Sequence, residues 1–210
     1  MIRIPYLLLL LIVPFFCSAA TGTDSSALVK KGFQLAEKQY DLLFNEHKDL
    51  SLYPRSADPN GKTSFTSISD WTGGFWPGCL WYVFEYTAND KWRDAALKWT
   101  NSLRENQFNT NHHDIGFVMN CSYGNAYRLT GDTTFKTILI QSAKSLLTRF
   151  NPKVGAIKSW NSFASWDGVH NYSFPVIIDN MMNLELLFLA SKLSGNPVYR
   201  EVAVRHAEAT

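Results

Sequence analysis

From Ser26 onward, apolar residues recur at three- and four-residue spacing. Leu28, Leu35, Ala36, Tyr40, Leu43 and Phe44 fall on one face of a first helix. The same period predicts helices near 74–88, 91–107, 115–129, 133–149, 176–193 and 197–209. No segment sustains the period-two alternation of a half-buried strand, so the predicted class is all-α.

The turns between these helices resemble one another. Thr87-Ala88-Asn89, Thr130-Gly131-Asp132 and Ser194-Gly195-Asn196 each place a hydroxyl residue five positions before an aromatic and six before a cation. Those partners are Trp92-Arg93, Phe135-Lys136 and Tyr199-Arg200. A small residue ends one helix, Asn or Asp caps the next, and the aromatic packs back on the pair. The unit is therefore an αα-hairpin, and its copies are too unevenly spaced for a helical solenoid.

Short turns at one end leave the long connections, 49–69, 108–113 and 150–175, at the other. These carry Trp160, Trp166, Tyr172, His112, His113 and His170. Long loops on a rigid helical scaffold are where a site belongs. Composition agrees with a ligand that has flat apolar faces: of 210 residues, 14% are aromatic, including seven Trp. The net charge of +2 carries no basic block, which argues against a nucleic-acid partner.

Residues 1–20, MIRIPYLLLLLIVPFFCSAA, have an early cation, a short apolar run and small residues at the end, the pattern of a secretory signal peptide. The run is short for a membrane span and Pro14 interrupts it. The expectation is export, with lipidation at Cys17 as the less favoured alternative. Residues 21–210 then form the mature part, with no membrane contact after cleavage. Cys79 and Cys121 remain; each lies in a helical pattern and reads as a buried free thiol, although export would permit a disulfide.

Three acids stand where a long loop feeds a helix: Asp70, Asp114 and Asp179. If alternate helices run parallel, all three gather at one end of the bundle. Asp70 and Asp114 also suit helix N-caps. Asp179 is expected inside a helix that begins at Pro175, among Ile177, Ile178, Met181 and Met182. Desolvation there would raise its pKa, while two His and a helix N-terminus would favour ionised Asp114. One protonated and one charged carboxyl is a pattern of acid/base chemistry on sugars. A metal held by His112, His113 and Asp114 is disfavoured, because adjacent His diverge on a helix.

The segments DWTGGFWPGCLWYVFEYT, HHDIGF, GNAYRLTGD, TRFNPKVGAIKSW and IIDNMMNLELLFLAS, in this order, resemble the unsaturated glucuronyl hydrolases of glycoside hydrolase family 88. The resemblance runs from about Lys30 to the last residue. It implies an (α/α)6 toroid of six hairpins, of which this chain supplies about the first half, an N-terminal part of one catalytic domain. It also implies a substrate, an oligosaccharide with a 4,5-unsaturated uronic acid at its non-reducing end. By the same resemblance Asp179 is the general acid/base and Asp114 the second essential acid. His113, Trp71 and Trp160 are expected to bind the sugar, and no cofactor or metal is expected. The alternatives from other classes are a polysaccharide lyase on a similar toroid and an exported sugar-binding fragment without activity. The location the leader implies is the bacterial periplasm.

Overall fold

The computed structural model describes residues 25–210. The expected leader at 1–20, with Cys17, lies outside them. Helix α1 (Ser25–Glu46) lies against α2 (Phe75–Thr87), which turns into α3 (Asp90–Ser102). Next come α4 (Ile115–Met119) and α5 (Asn125–Thr130), joined by the π-helical turn Asn120–Gly124, and then α6 (Thr134–Leu147). The last pair is α7 (Leu184–Ser194) and α8 (Val198–Ala209). Helices α2, α4–α5 and α7 lie side by side in one row, with α3, α6 and α8 as their hairpin partners behind. This is the expected all-helical hairpin architecture.

The three hairpin turns are built alike, down to the atoms. The hydroxyls of Thr87, Thr130 and Ser194 each donate to the carbonyl four residues earlier, at 2.7 Å in every case. The same oxygens accept the N–H two residues on. Asn89, Asp132 and Asn196 then accept from the N–H groups of Lys91, Thr134 and Val198, at 3.0, 2.8 and 3.1 Å. Between them, Ala88, Gly131 and Gly195 adopt left-handed backbone, with φ of 54°, 70° and 73°. Only Ala88 pays a Cβ penalty there, about 1–2 kcal/mol. Trp92, Phe135 and Tyr199 are buried, as the turn pattern requires.

The core between the rows is rich in tryptophan. Trp76, Trp81, Trp92 and Trp99 are buried with Leu80, Leu103, Ile115 and Leu186. The indole N–H of Trp81 donates to Thr100 Oγ1 and that of Trp92 to Glu37 Oε1, both at 2.9 Å, so neither is buried unpaired. In α1, Ala36, Tyr40, Leu43 and Phe44 pack on this core, whereas Leu28 and Leu35 are exposed. The stripe that packs runs at three- and four-residue steps from Phe33; Leu28 and Leu35 lie off it.

Four local expectations are corrected. The helix expected over 91–107 ends at Ser102, and Arg104–Phe108 form a separate 3-10 segment. That over 115–129 is interrupted by the π turn, where Gly124 makes room for Asn120: an added Cβ would meet Asn120 Oδ1 at 2.6 Å. The helix expected from 176 begins only as a 3-10 turn, Ile178–Asn183. Residues 175–177 are extended because Ser159 N–H donates to the Pro175 carbonyl at 2.8 Å and Ile177 N–H donates to Ser159 Oγ at 3.1 Å. Finally, the long connections contain three antiparallel ribbons, too short to show alternation. They are β1 (Tyr53–Ala57) with β2 (Thr63–Thr66), β3 (Phe150–Asn151) with β4 (Ala156–Ile157), and β5 (Phe163–Ala164) with β6 (Asn171–Tyr172). Cys79 and Cys121 are free and half-buried. Among the described residues no helix is long and apolar enough to cross a membrane.

Candidate active site

The loop end of the helical rows brings two of the three acids together. Asp114 immediately precedes α4, and Asp179 lies in the 3-10 turn before α7; α4 and α7 are neighbours. Their contact is tight because Gly116 faces Asn183 with no side chain between, and Asn183 Oδ1 accepts the Phe117 N–H at 2.9 Å. Across this contact His113 Nε2 lies 3.1 Å from Asp114 Oδ1 and 3.5 Å from Asp179 Oδ1. The Nε2 of one buried imidazole therefore lies within ion-pair distance of both carboxylates.

The two acids have opposite electrostatic settings. Burial pushes the Asp114 carboxyl up, but the His112 and His113 imidazoles beside it prevail and hold it at about 2. His112 Nδ1 is 3.3 Å from Asp114 Oδ2, and the other ring nitrogen is 3.1 Å from Asn109 Nδ2. An amide N–H can only donate, so the ring nitrogen of His112 beside Asn109 accepts and the remaining ring N–H sits on Nδ1. Asp179 shifts the other way: partial burial raises its pKa, His113 opposes this, and the charge of Asp114 adds to the rise. The side chain of Asp179 is 47% exposed. The expected desolvated helical interior is thus corrected: Ile178 and Met182 are exposed, and Asp179 stands at the mouth of a cavity.

That cavity, about 290 Å³, is lined by Trp71, Asp114, Phe117, Trp160, Asp179 and Met182. Four expected site residues, Asp114, Asp179, Trp71 and Trp160, thus line one pocket. Trp71 stands edge-on to Phe117, and Trp160 edge-on to His113. His113, expected at the sugar, is corrected: its ring is fully buried, so it touches the acids from behind. Asp70 is the N-cap of the 3-10 turn Trp71–Gly74, accepting from Thr72 N–H at 2.8 Å, and lies 3.3 Å from Arg55 Nε. It positions Trp71 rather than lining the pocket.

Sequence reasoning assigned nothing to Arg149, Asn180, Asn183 and His206, all buried. Arg149 Nε donates to the Lys158 carbonyl at 2.8 Å and Nη2 to the Ser159 carbonyl at 3.2 Å, while Nη1 reaches the Thr110 carbonyl. It staples the loop before His112 to the strand segment before Trp160. Asn180 donates to the Ile157 carbonyl at 2.8 Å, and His206 Nδ1 accepts the Ile157 N–H at 3.0 Å. The sequence signal for Asn180 and Asn183 was present: apart from Asp179, they are the two polar residues in a run of Val, Ile and Met.

His206 gives the fold a pH dependence. Burial, with the nearby His113 adding to it, lowers its pKa below the usual 6.5. Below that usual value the unfolded chain takes a proton that the folded chain refuses, so stability is full above about pH 6.5 and falls as the pH drops toward the lowered folded value. Thermal unfolding between pH 7.5 and 5 should show a falling Tm for the protein and a flatter profile for His206→Gln. Each kcal/mol corresponds to about 2–4 °C in a chain of this size. Equal slopes in both would assign the acid sensitivity to other groups.

His113, Asp114 and Asp179 also place one donor atom each within 4.8 Å of one another. Three donors from the chain are fewer than the four of a closed zinc site or the six of a magnesium site. A cation here would need water or substrate to complete its shell.

The chain matches the profile of Glycosyl Hydrolase Family 88 over residues 30–210. It is 38% identical over 221 residues to an unsaturated glucuronyl hydrolase of Formosa agariphila, covering 99% of this chain and 52% of that protein. It is 34% identical to an unsaturated glucuronyl hydrolase of Bacillus sp. strain GL1, covering 74% of this chain and 41% of the other. Among solved structures, it superposes on an unsaturated glucuronyl hydrolase specific for heparin with a TM-score of 0.71 and 42% identity, over 79% of this chain and 43% of that one. These neighbours are (α/α)6 toroids, and the chain spans about half the length of the relatives it matches. The profile match across nearly the whole described chain, and the shared helical hairpins, mean that the chain belongs to glycoside hydrolase family 88.

Proposed function

We propose that the protein hydrolyses oligosaccharides that carry a 4,5-unsaturated uronic acid at the non-reducing end, as left by polysaccharide lyases. The observation that carries this reading is the pair Asp114–Asp179, both within ion-pair distance of His113 in an aromatic-walled pocket, with one acid held ionised and the other shifted toward its protonated form.

In the proposed reaction, Asp179 donates its proton to C4 of the C4=C5 vinyl ether. Positive charge then develops at C5 and on the ring oxygen, and the Asp114 carboxylate stabilises it while holding ring hydroxyls. Water adds at C5 and returns a proton to Asp179, so the net change is addition of one water. The C5 hemiketal opens to a ketone, and the hemiacetal left at C1 collapses and releases the next sugar. His113 holds the two carboxyls apart at a fixed distance. Trp71 and Trp160 offer apolar faces to the sugar ring. Hydration of the alkene by paired carboxyls needs no cofactor, and the signal-like sequence of residues 1–20 supports a reaction outside the cytoplasm, in the periplasm.

The test follows ultraviolet absorbance of an unsaturated disaccharide with protein expressed from its full reading frame. Absorbance should fade with enzyme, and at an unchanged rate after exhaustive treatment with a chelator. Loss of activity on chelation, restored by a divalent cation, would replace the cofactor-free reading with a metal site at His113, Asp114 and Asp179. Tight binding without any fading would leave a sugar-binding protein.

A further inference from the structure

Ser159 is fully buried and stands immediately before Trp160, a wall of the acid pocket. Its backbone and side chain join segments that lie far apart in the chain. The carbonyl accepts the His113 N–H at 3.1 Å and Arg149 Nη2 at 3.2 Å. The N–H donates to the Pro175 carbonyl at 2.8 Å, and Oγ accepts the Ile177 N–H at 3.1 Å. His113 directly precedes Asp114, and Ile177 lies two residues before Asp179. One buried residue therefore ties down the approach to each acid.

These bonds differ in what they ask of the residue type. The links to His113, Arg149 and Pro175 use backbone atoms, which any residue but proline supplies at position 159. The link to Ile177 needs a side-chain acceptor. That bond holds Ile177 extended, with φ of −123° and ψ of 152°, so the turn that carries Asp179 starts at Ile178. Just past the acid, Asn180 Nδ2 donates to the Ile157 carbonyl at 2.8 Å. The 157–160 segment thus grips the chain on both sides of Asp179. The Gly116–Asn183 contact spaces the acids from the helix side, and Ser159 does so from the loop side.

We infer that Ser159 is a positioning residue of the proposed reaction: its hydroxyl, acting through Ile177, sets where the Asp179 carboxyl stands relative to Asp114. This rests on the hydrolase reading and extends it to a buried residue behind the pocket lining. A proton donor works only within hydrogen-bond reach of the atom it serves, about 2.6–3.2 Å. Asp179 must meet that distance at C4 while Asp114 faces the charge at C5, so the spacing of the two carboxyls is itself part of the chemistry. Without the Oγ acceptor, the Ile177 N–H has to find another partner, and the turn that follows moves with it.

The experiment measures Ser159→Ala in protein expressed from its full reading frame, on an unsaturated disaccharide, at a temperature where circular dichroism shows the variant folded. Its kcat should fall roughly 10- to 100-fold, the scale of a reacting group displaced by about 1 Å. KM should stay within about twofold, because the backbone bonds that hold Trp160 survive the exchange. A second arm repeats the substitution in the Asp179→Asn background. A residue that acts through Asp179 has nothing left to position there, so the further loss should be less than about twofold. Ser159→Cys, with sulfur as a poor acceptor, should show the same split and replaces alanine if that variant does not fold. A parental kcat, or an equal fold-loss in both backgrounds, would overturn the inference. A raised KM with kcat unchanged would assign Ser159 to Trp160 and also overturn it. If the parent turns over no unsaturated disaccharide, the hydrolase reading fails, and crystal structures of parent and variant decide the positioning. His113 Nε2 must then keep its 3.1 Å approach to Asp114 and lose the 3.5 Å approach to Asp179; two unchanged distances would overturn it.

Discussion

Asp179→Asn should lower turnover of an unsaturated disaccharide by about 10²–10⁴-fold, the usual cost of losing a general acid/base. Asn matches the carboxyl in size and keeps polar contact with His113, the one charged-pair neighbour of Asp179 among the described residues. What it cannot do is release a proton to C4 and recover one from water. The side chain is half-exposed at the cavity mouth, so the exchange should leave the fold intact. Thermal unfolding of the variant should therefore match the parent within about 0.5 kcal/mol, as for surface changes. The raised pKa of Asp179 also fixes a sign: activity that needs its protonated form falls as the pH rises through that pKa. This alkaline limb should disappear from the residual rate of the variant. A variant with near-parental turnover would shift the proton-transfer role to Asp114.

Gly116→Ala should cost about 3 kcal/mol of stability, the upper part of the usual overpacking range. It should also lower activity at temperatures where the variant is still folded. A Cβ at this position would lie 2.5 Å from Asn183 Cβ and 2.6 Å from its Cα, so backbone must move rather than a flexible side-chain tip. The movement separates α4 from the turn before α7 and breaks the Phe117 N–H bond to Asn183 Oδ1. Asp114 lies two residues before Gly116 and Asp179 four before Asn183, so the same shift pulls the paired acids apart. A Tm loss of about 6–12 °C is expected for that energy in a chain of this size. Gly32→Ala is the control: it sits in α1 with nothing within 4 Å, and Ala is the better helix former. Should Gly116→Ala unfold like the parent and turn over normally, the α4–α7 contact is softer than its geometry indicates and does not set the acid spacing.

The hairpins were legible because their determinants are local. In each turn a hydroxyl, a small or left-handed residue and a capping amide or acid lie within three consecutive positions, and the hydrogen bonds they make span two to four residues. Such groups meet whatever the rest of the chain does. The apolar period works the same way, and over 176–193 it failed because a distant partner intervened. The helix expected from 176 starts late because Ser159, eighteen residues before Ile177, captures its N–H. The 3-10 start then leaves Asp179 at the cavity mouth instead of inside a helix.

Tryptophan shows the same division. Seven Trp in the sequence announced either a core or a sugar-binding face, and period alone could not sort them. Packing does: Trp76, Trp81, Trp92 and Trp99 lie between the helical rows, Trp71 and Trp160 wall the acid pocket, and Trp166 stands on the β5–β6 tip.

By itself, the sequence determined the helical class, the three hairpin turns, the acids gathered where long loops feed helices, and the resemblance that names the family. Those rest on interactions between residues close in the chain, or on motifs read in order. Only the tertiary structure decided that Asp114 and Asp179 share His113, and that Arg149, Asn180 and His206 hold the segments beneath the pocket. These are contacts between residues far apart in sequence, and a carboxyl's pKa depends on which charges and how much water surround it in space. Asp179 is shifted upward by partial burial and by the charge of Asp114, which reaches it because α4 and α7 meet at Gly116 and Asn183, a distance that no local pattern encodes.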